Sequence, residues 1–305
     1  MAHHAHPSSP SPSLESRIFA ALVLTVAGMV VQILGGVFSK SLALLSDAGH
    51  MLADAAALGL ALVAQRVATR PRTQVRTYGW RRAETLAAFV NAILLGVASV
   101  WVVIEAAERW QDPPDVKGGW MLAVAVFGLL VNLVAAAVLS RGHSHNENTR
   151  AALAHVVSDA AGSLAAILAA VLILGWGLRR ADSLISVLLA AMMFWGAWKL
   201  VVRTVDVLME STPRGLVPGA LEATIRATAG VADLHDLHAW TISEGFDVVT
   251  VHVTLDGTRH GTDVSREVSE RIRAEHGITH ATVQAESPPS TDFYQPVSTL
   301  TRRRA

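Results

Sequence analysis

The sequence predicts an α-helical membrane protein, six transmembrane helices followed by a small α+β domain. Three observations lead there. Of 305 residues, 51% are hydrophobic and only 16% charged, where a soluble domain carries about 25%. The charges are sparse up to about residue 205 and frequent afterwards, the texture of a membrane domain followed by a soluble one. Six apolar stretches each approach the roughly 20 residues a helix needs to cross a bilayer.

Residues 1–16, rich in Pro and Ser, lack the apolar core of a signal peptide and read as a disordered tail. The spans follow at 18–38, 42–67, 83–107, 120–139, 151–176 and 184–202, separated by Gly, Pro or charged residues. Together they make a membrane domain over 17–212. An even number of spans puts both termini on one side, and Lys and Arg decide which. Arg66, Arg70, Arg72, Arg76, Arg81, Arg82, Arg141 and Arg150 lie on the side of the termini. The opposite loops hold Lys40, Arg109, Lys117, Arg179 and Arg180. This bias makes both termini cytoplasmic in an integral protein of the cell (inner) membrane. Lys199 and Arg203 fit, since they can snorkel to that surface.

After "MESTPRG" the texture changes. Residues 216–229 have helical spacing; "DLHDLHAWTI" and "FDVVTVHVTLD" alternate like strands, with "SEG" as the turn. Residues 262–276 are helical again and "ITHATVQAE" is a third strand. The order αββαβ over 213–287 predicts a ferredoxin-like α+β sandwich. The remainder, 288–305, with "SPPS" and "RRR", is expected to be a second disordered tail.

Composition also excludes. There is no cysteine, hence no disulfide or thiolate metal site. The net charge is zero, which offers nucleic acid nothing. No Walker loop, GxSxG, kinase-like or H-E-x-x-H motif occurs. Neither enzymatic chemistry nor an organic cofactor is expected.

The second span, "LLSDAGHMLADAAALGLALV", nevertheless carries Asp47, His50 and Asp54. Each ionisable group at a bilayer centre costs roughly 2.5–3.5 kcal/mol on insertion scales. Spacings of three and four put all three on one helix face. The fifth span repeats the device, with His155 and Asp159 in "AHVVSDAAG". Two H-x-x-x-D pairs on two helices offer two imidazoles and two carboxylates, a set suited to tetrahedral Zn²⁺. A bland alternative, interhelical hydrogen bonding, suits one such pair better than a duplicated one. That alternative is preferred for Gln32, Asn91 and Asn132; Asp47 could be a spare carboxylate for proton handling.

"SDAGHMLAD", "RTYGWRRAE", "AHVVSDAAGS" and "LMESTP", joined to six spans and an αββαβ domain, resemble the cation diffusion facilitator family in its zinc-transporting members. The resemblance covers roughly residues 16–287. It implies that His50, Asp54, His155 and Asp159 form the transport site, that the protein is a homodimer in membrane lipid, and that cytosolic Zn²⁺ is exchanged for outside protons. It further implies a regulatory metal bound in the cytoplasmic domain by His235, His252 and Glu286; His280 lies one residue off a position some relatives use. Arg82 and Glu210 fall where the family has a cytoplasmic-side salt bridge, though Arg82 could equally contact headgroups. A second loop site of some relatives is expected to be missing, because the matching stretch offers Thr73, Arg76 and Trp80. His3, His4, His6, His143 and His145 could shuttle zinc weakly or simply be solvated. His238, His260 and His276 are expected at the surface.

The chemistry is consistent on its own terms. Neutral imidazole binds metal and imidazolium does not, so zinc and protons compete. The reference histidine pKa of about 6.5 puts that competition near physiological pH. Two alternatives remain: Cd²⁺, Co²⁺ or Ni²⁺ as the main ion, which the same ligands accept, and a membrane-anchored sensor that binds zinc without moving it.

Overall fold

The computed structural model describes residues 12–140, 147–243 and 245–287, with backbone alone at some helical positions, among them residues 12–22 and His155. Six long helices come first: α1 (Pro12–Ser39), α2 (Leu42–Ala68), α3 (Ala83–Gln111), α4 (Gly118–Ser140), α5 (Glu147–Trp176) and α6 (Ala181–Leu208). Helices α2 to α6 are each long and apolar enough to cross a membrane, and the described apolar part of α1 is the shorter Val23–Ser39. Helix α1 starts earlier than expected, so residues 12–16 are helical rather than part of a disordered tail. Pro12 sits at the first helical position, where its missing N–H costs nothing, and Leu14, Glu15 and Arg17 favour helix. The expectations for residues 1–11, for His143 and His145, and for residues 288–305 lie outside the described residues.

The chain divides into two compact units, one of helices α1 to α6 and one that gathers residues 65–86 with the chain from Arg203 on. The first has a core of small residues. Ala43 and Leu44 of α2, Met121 and Ala125 of α4, and Ala166, Ala169 and Ala170 of α5 pack together with Ile185 of α6. Lipid is as apolar as leucine, so close backbone approach through small residues replaces the hydrophobic effect between membrane helices. Leu34, Leu62, Leu94, Trp101 and Leu130 are each more than half exposed, an apolar surface suited to acyl chains.

One contact fixes how α2 begins. Asp182, in the first turn of α6 and 1% exposed, accepts hydrogen bonds from Ser41 Oγ (2.6 Å) and from the backbone N–H groups of Leu42 (2.7 Å) and Ala43 (3.2 Å). Ser41 Oγ accepts from the N–H of Leu44 (3.2 Å). The first N–H groups of a helix have no partner within it. A carboxylate borrowed from another helix satisfies them and favours the positive end of the α2 dipole.

The second unit has the expected αββαβ order: α7 (Pro218–Arg226), β1 (Val231–Ser243), β2 (Phe246–Leu255), α8 (Gly261–His276) and β3 (His280–Glu286). The sheet runs β1-β2-β3, with β1 antiparallel and β3 parallel to β2. Helix α8 is the crossover that a parallel pair requires. Val249, Val251 and Val253 point from β2 to one side, where Val264, Val268 and Ile272 of α8 and Leu221 and Ile225 of α7 cover them. The period of two on the strand and of four on the helix buries one face each. The other sheet face carries polar residues, Thr250, His252 and Thr254 on β2 among them.

Candidate metal centres

In the membrane unit, His50 and Asp54 lie one turn apart on α2, with His50 Nε2 3.5 Å from an Asp54 carboxylate oxygen and both side chains about a quarter exposed. Asp159 on α5 is fully buried. The backbone of His155 lies one turn before Asp159 on α5; its side chain is outside the described residues.

Asp47 shows how the two helices face one another. Gln32 Nε2 of α1 donates to Asp47 Oδ2 (3.0 Å), and Ser163 Oγ of α5 donates to the same oxygen (3.5 Å). Successive membrane spans reverse direction, so α2 and α5 run oppositely. From the contact of Asp47 with Ser163, three residues along α2 reach His50 and four back along α5 reach Asp159. At 1.5 Å per residue these are steps of about 4.5 and 6 Å in the same direction. His50 and Asp159 therefore stand at about the same level along the two helices.

Other polar residues divide. Gln32 makes the interhelical bonds expected of it, to Asp47 and to Ser163 Oγ (3.3 Å). Asn132 is 2% exposed, and its amide nitrogen has no hydrogen-bond partner among the described residues; the interhelical bond expected of it is not formed there.

In the second unit, His235 and His252 are paired across β1 and β2, and Glu286 reaches them from the end of β3. His252 Nδ1 is 2.7 Å from Glu286 Oε1, and His235 Nε2 is 3.5 Å from Glu286 Oε2. One ligand atom from each of the three lies within 4.8 Å of the others. Zinc bonds of about 2.0–2.2 Å at tetrahedral angles place donors about 3.3 Å apart, so these residues fit a metal after a small contraction. The Glu286 carboxyl is held below the usual carboxylate range, first by its hydrogen bond with His252. It is thus anionic at neutral pH.

The structure does not bring His280 into this cluster. Residue 280 opens β3 and Glu286 ends it, six residues apart, about 20 Å along a strand. The His280 ring packs instead against Phe246 (centroids 5.7 Å apart) and Tyr78 (6.2 Å). Sequence reasoning also missed Asp236. A bulge between His235 and His238 puts Asp236 in the left-handed region (φ 53°). Its carboxylate meets His238 Nε2 at 2.9 Å and lies 3.9 Å from His252 Nε2. The extra residue turns His238 to the same face as His235, which strict alternation forbids. The only signal was the D within "HDLH". His238 is exposed as expected, whereas His276 meets Thr224 Oγ1 at 2.9 Å.

Between α2 and α3 the Arg76 guanidinium stacks over the Trp80 ring, 3.5 Å from its centroid. Arg82 pairs with Glu210 at 2.8 Å, with both side chains more than a third exposed. An exposed pair of this kind contributes about 0–1 kcal/mol.

Comparison with known proteins agrees with this architecture. Residues 18–209 match the cation efflux transmembrane domain and residues 213–288 the cation efflux protein cytoplasmic domain. The chain is 40% identical over 294 residues to the zinc transporter ZitB of Escherichia coli, covering 95% of this chain and 94% of that one. It is 38% identical over 287 residues to the metal cation efflux system protein CzcD of Cupriavidus metallidurans (94% and 90%). It is 36% identical over 276 residues to the cadmium, cobalt and zinc/H⁺-K⁺ antiporter of Bacillus subtilis (88% and 88%). With six helices, an αββαβ domain and both family matches in register, the chain belongs to the cation diffusion facilitator family, among its zinc-transporting members.

Proposed function

We propose that the protein exports divalent cations, Zn²⁺ foremost, from the cytoplasm in exchange for protons, using His50, Asp54, His155 and Asp159 as the transport site. The observation that carries this reading is the opposition of α2 and α5 through Asp47 and Ser163, one turn from His50 and from Asp159. Imidazole and carboxylate favour Zn²⁺ when deprotonated and release it when protonated. A site that opens alternately to a neutral cytoplasm and a more acidic exterior therefore drives export with the proton gradient. The arginines between α2 and α3 support cytoplasmic termini by the positive-inside rule, and the relatives are bacterial transporters, which supports the cell membrane as the location.

His235, His252 and Glu286 are the ligands proposed for a regulatory metal in the cytoplasmic domain, and the protein is proposed to act as a homodimer. The Arg82–Glu210 pair is proposed to be the cytoplasmic-side salt bridge that the family resemblance implies. The test is zinc flux in proteoliposomes under an imposed pH gradient. Export that follows the gradient and is lost in His50→Ala, Asp54→Ala, His155→Ala and Asp159→Ala supports the reading. Zinc binding without flux makes the protein a sensor, and flux indifferent to pH removes the proton from the cycle.

A further inference from the structure

Asp47 is not one of the four proposed ligands, yet it is 4% exposed and stands at the centre of a network that joins three helices. Gln32 of α1 and Ser163 of α5 both donate to its Oδ2, and Gln32 also reaches Ser163. The packing around the network leaves no slack. A Cβ at Gly162 would collide with Asp47 Oδ1, and a Cβ at Gly128 of α4 would sit 2.5 Å from Gln32 Nε2. Two glycines thus bring α4 and α5 against side chains that a methyl group would displace. Asp47 lies three residues before His50, and Ser163 lies four after Asp159.

We infer that Asp47, held by Gln32 and Ser163 against Gly162, is a positioning residue that sets the separation of α2 from α5 and so the span of the zinc site one turn away. The inference rests on the proposed transport site. Metal ligands must stand at fixed distances, and outer groups that orient them typically govern affinity by about 10–100-fold. In this role Asp47 acts as a hydrogen-bond acceptor of fixed length and not through its charge. An asparagine can accept the same bonds through its amide oxygen, whereas alanine cannot.

The experiment measures, on the full chain, zinc KM and maximal rate in proteoliposomes and zinc affinity by calorimetry. The membrane-site signal is defined as the component lost in His50→Ala. Asp47→Ala and Gly162→Ala are each expected to weaken zinc affinity about 10–100-fold and raise KM, with Asp47→Asn close to the unmodified protein. The double variant Asp47→Ala/Gly162→Ala is expected to be no worse than Asp47→Ala alone, because removing Oδ1 removes the collision. Ser163→Ala provides a milder case should Gly162→Ala fail to fold. Equal damage from Asp47→Asn and Asp47→Ala would overturn the inference by making charge the property that matters. Unchanged affinity in Asp47→Ala, or additive losses in the double variant, would overturn it as well. Should His50→Ala leave zinc binding unaltered, the site assignment fails, a result separable from each of these.

Discussion

Asp182→Ala should destabilise the membrane unit more than any other single change at the start of α2. The carboxylate accepts three hydrogen bonds, from Ser41 Oγ at 2.6 Å, Leu42 N at 2.7 Å and Ala43 N at 3.2 Å. Leu42, Ala43 and Ser41 are all fully buried, so water does not readily replace the lost acceptor. Loss of a cap costs about 0.5–2 kcal/mol, and each buried donor left unsatisfied costs about 1–3 kcal/mol. Because the two figures overlap for the same N–H groups, about 3 kcal/mol is the expected total. For a unit of this size that lowers the unfolding midpoint by about 6–12 °C. Asp182→Asn keeps one acceptor oxygen but turns an amide N–H₂ toward donors, and should lie between the alanine variant and the unmodified protein. Ser41→Ala removes one donor together with the acceptor for Leu44, and should cost about 1 kcal/mol. The assay is thermal unfolding of the purified protein in a fixed detergent, with zinc flux measured alongside. A midpoint in Asp182→Ala within a degree of the unmodified protein, or below that of Ser41→Ala by nothing measurable, would refute the capping argument.

Three further outcomes follow from the two centres. His50→Ala, Asp54→Ala, His155→Ala and Asp159→Ala should each abolish zinc flux in proteoliposomes while leaving membrane expression largely intact; near-normal transport by any two would sink the assignment. The triple variant His235→Ala/His252→Ala/Glu286→Gln should lose the calorimetric component of the cytoplasmic cluster, keep flux at high zinc and lose its response at low zinc. A metal can shift a conformational equilibrium only by its differential affinity for the two states, so identical flux at every zinc concentration would leave the cluster binding metal without regulating. Finally, Asp233, Asp236, Asp256, Glu275 and Glu286 all titrate lower in the folded domain, held chiefly by hydrogen bonds from Arg226, His238, Thr258, Thr224 and His252 respectively. The folded state then binds fewer protons than the unfolded chain. Stability from these contacts is complete above the ordinary carboxylate range of about 4 and falls as acid drives the pH below it. Hydrogen exchange in residues 218–286 that is no faster at pH 3 than at pH 6, after correction for intrinsic rates, would contradict this.

The elements were readable in the sequence because their causes are local. A bilayer admits only segments that satisfy their own backbone, so apolar length alone reports six spans. Alternation and fourfold spacing report the strands and helices of the cytoplasmic domain, down to Val249, Val251 and Val253 against Val264, Val268 and Ile272. The pairs His50/Asp54 and His155/Asp159 were equally visible, since a repeated i,i+4 motif of costly residues needs no partner to be noticed. What the sequence could not report are contacts between distant segments. Asp182 lies 140 residues from the N–H group of Leu42 that it caps, and by local rules it belongs to the first turn of its own helix. Asp47 and Ser163 are separated by 116 residues, and nothing in "SDAGH" says which side chain will come to rest against Gly162. His280 was a candidate because it lies one residue off a position some relatives use, but strand register puts it about 20 Å from Glu286. Asp236 came to the same cluster only through a one-residue bulge. Register, bulges and helix contacts are chosen by how whole faces pack, so only the tertiary structure decided which polar residues became neighbours.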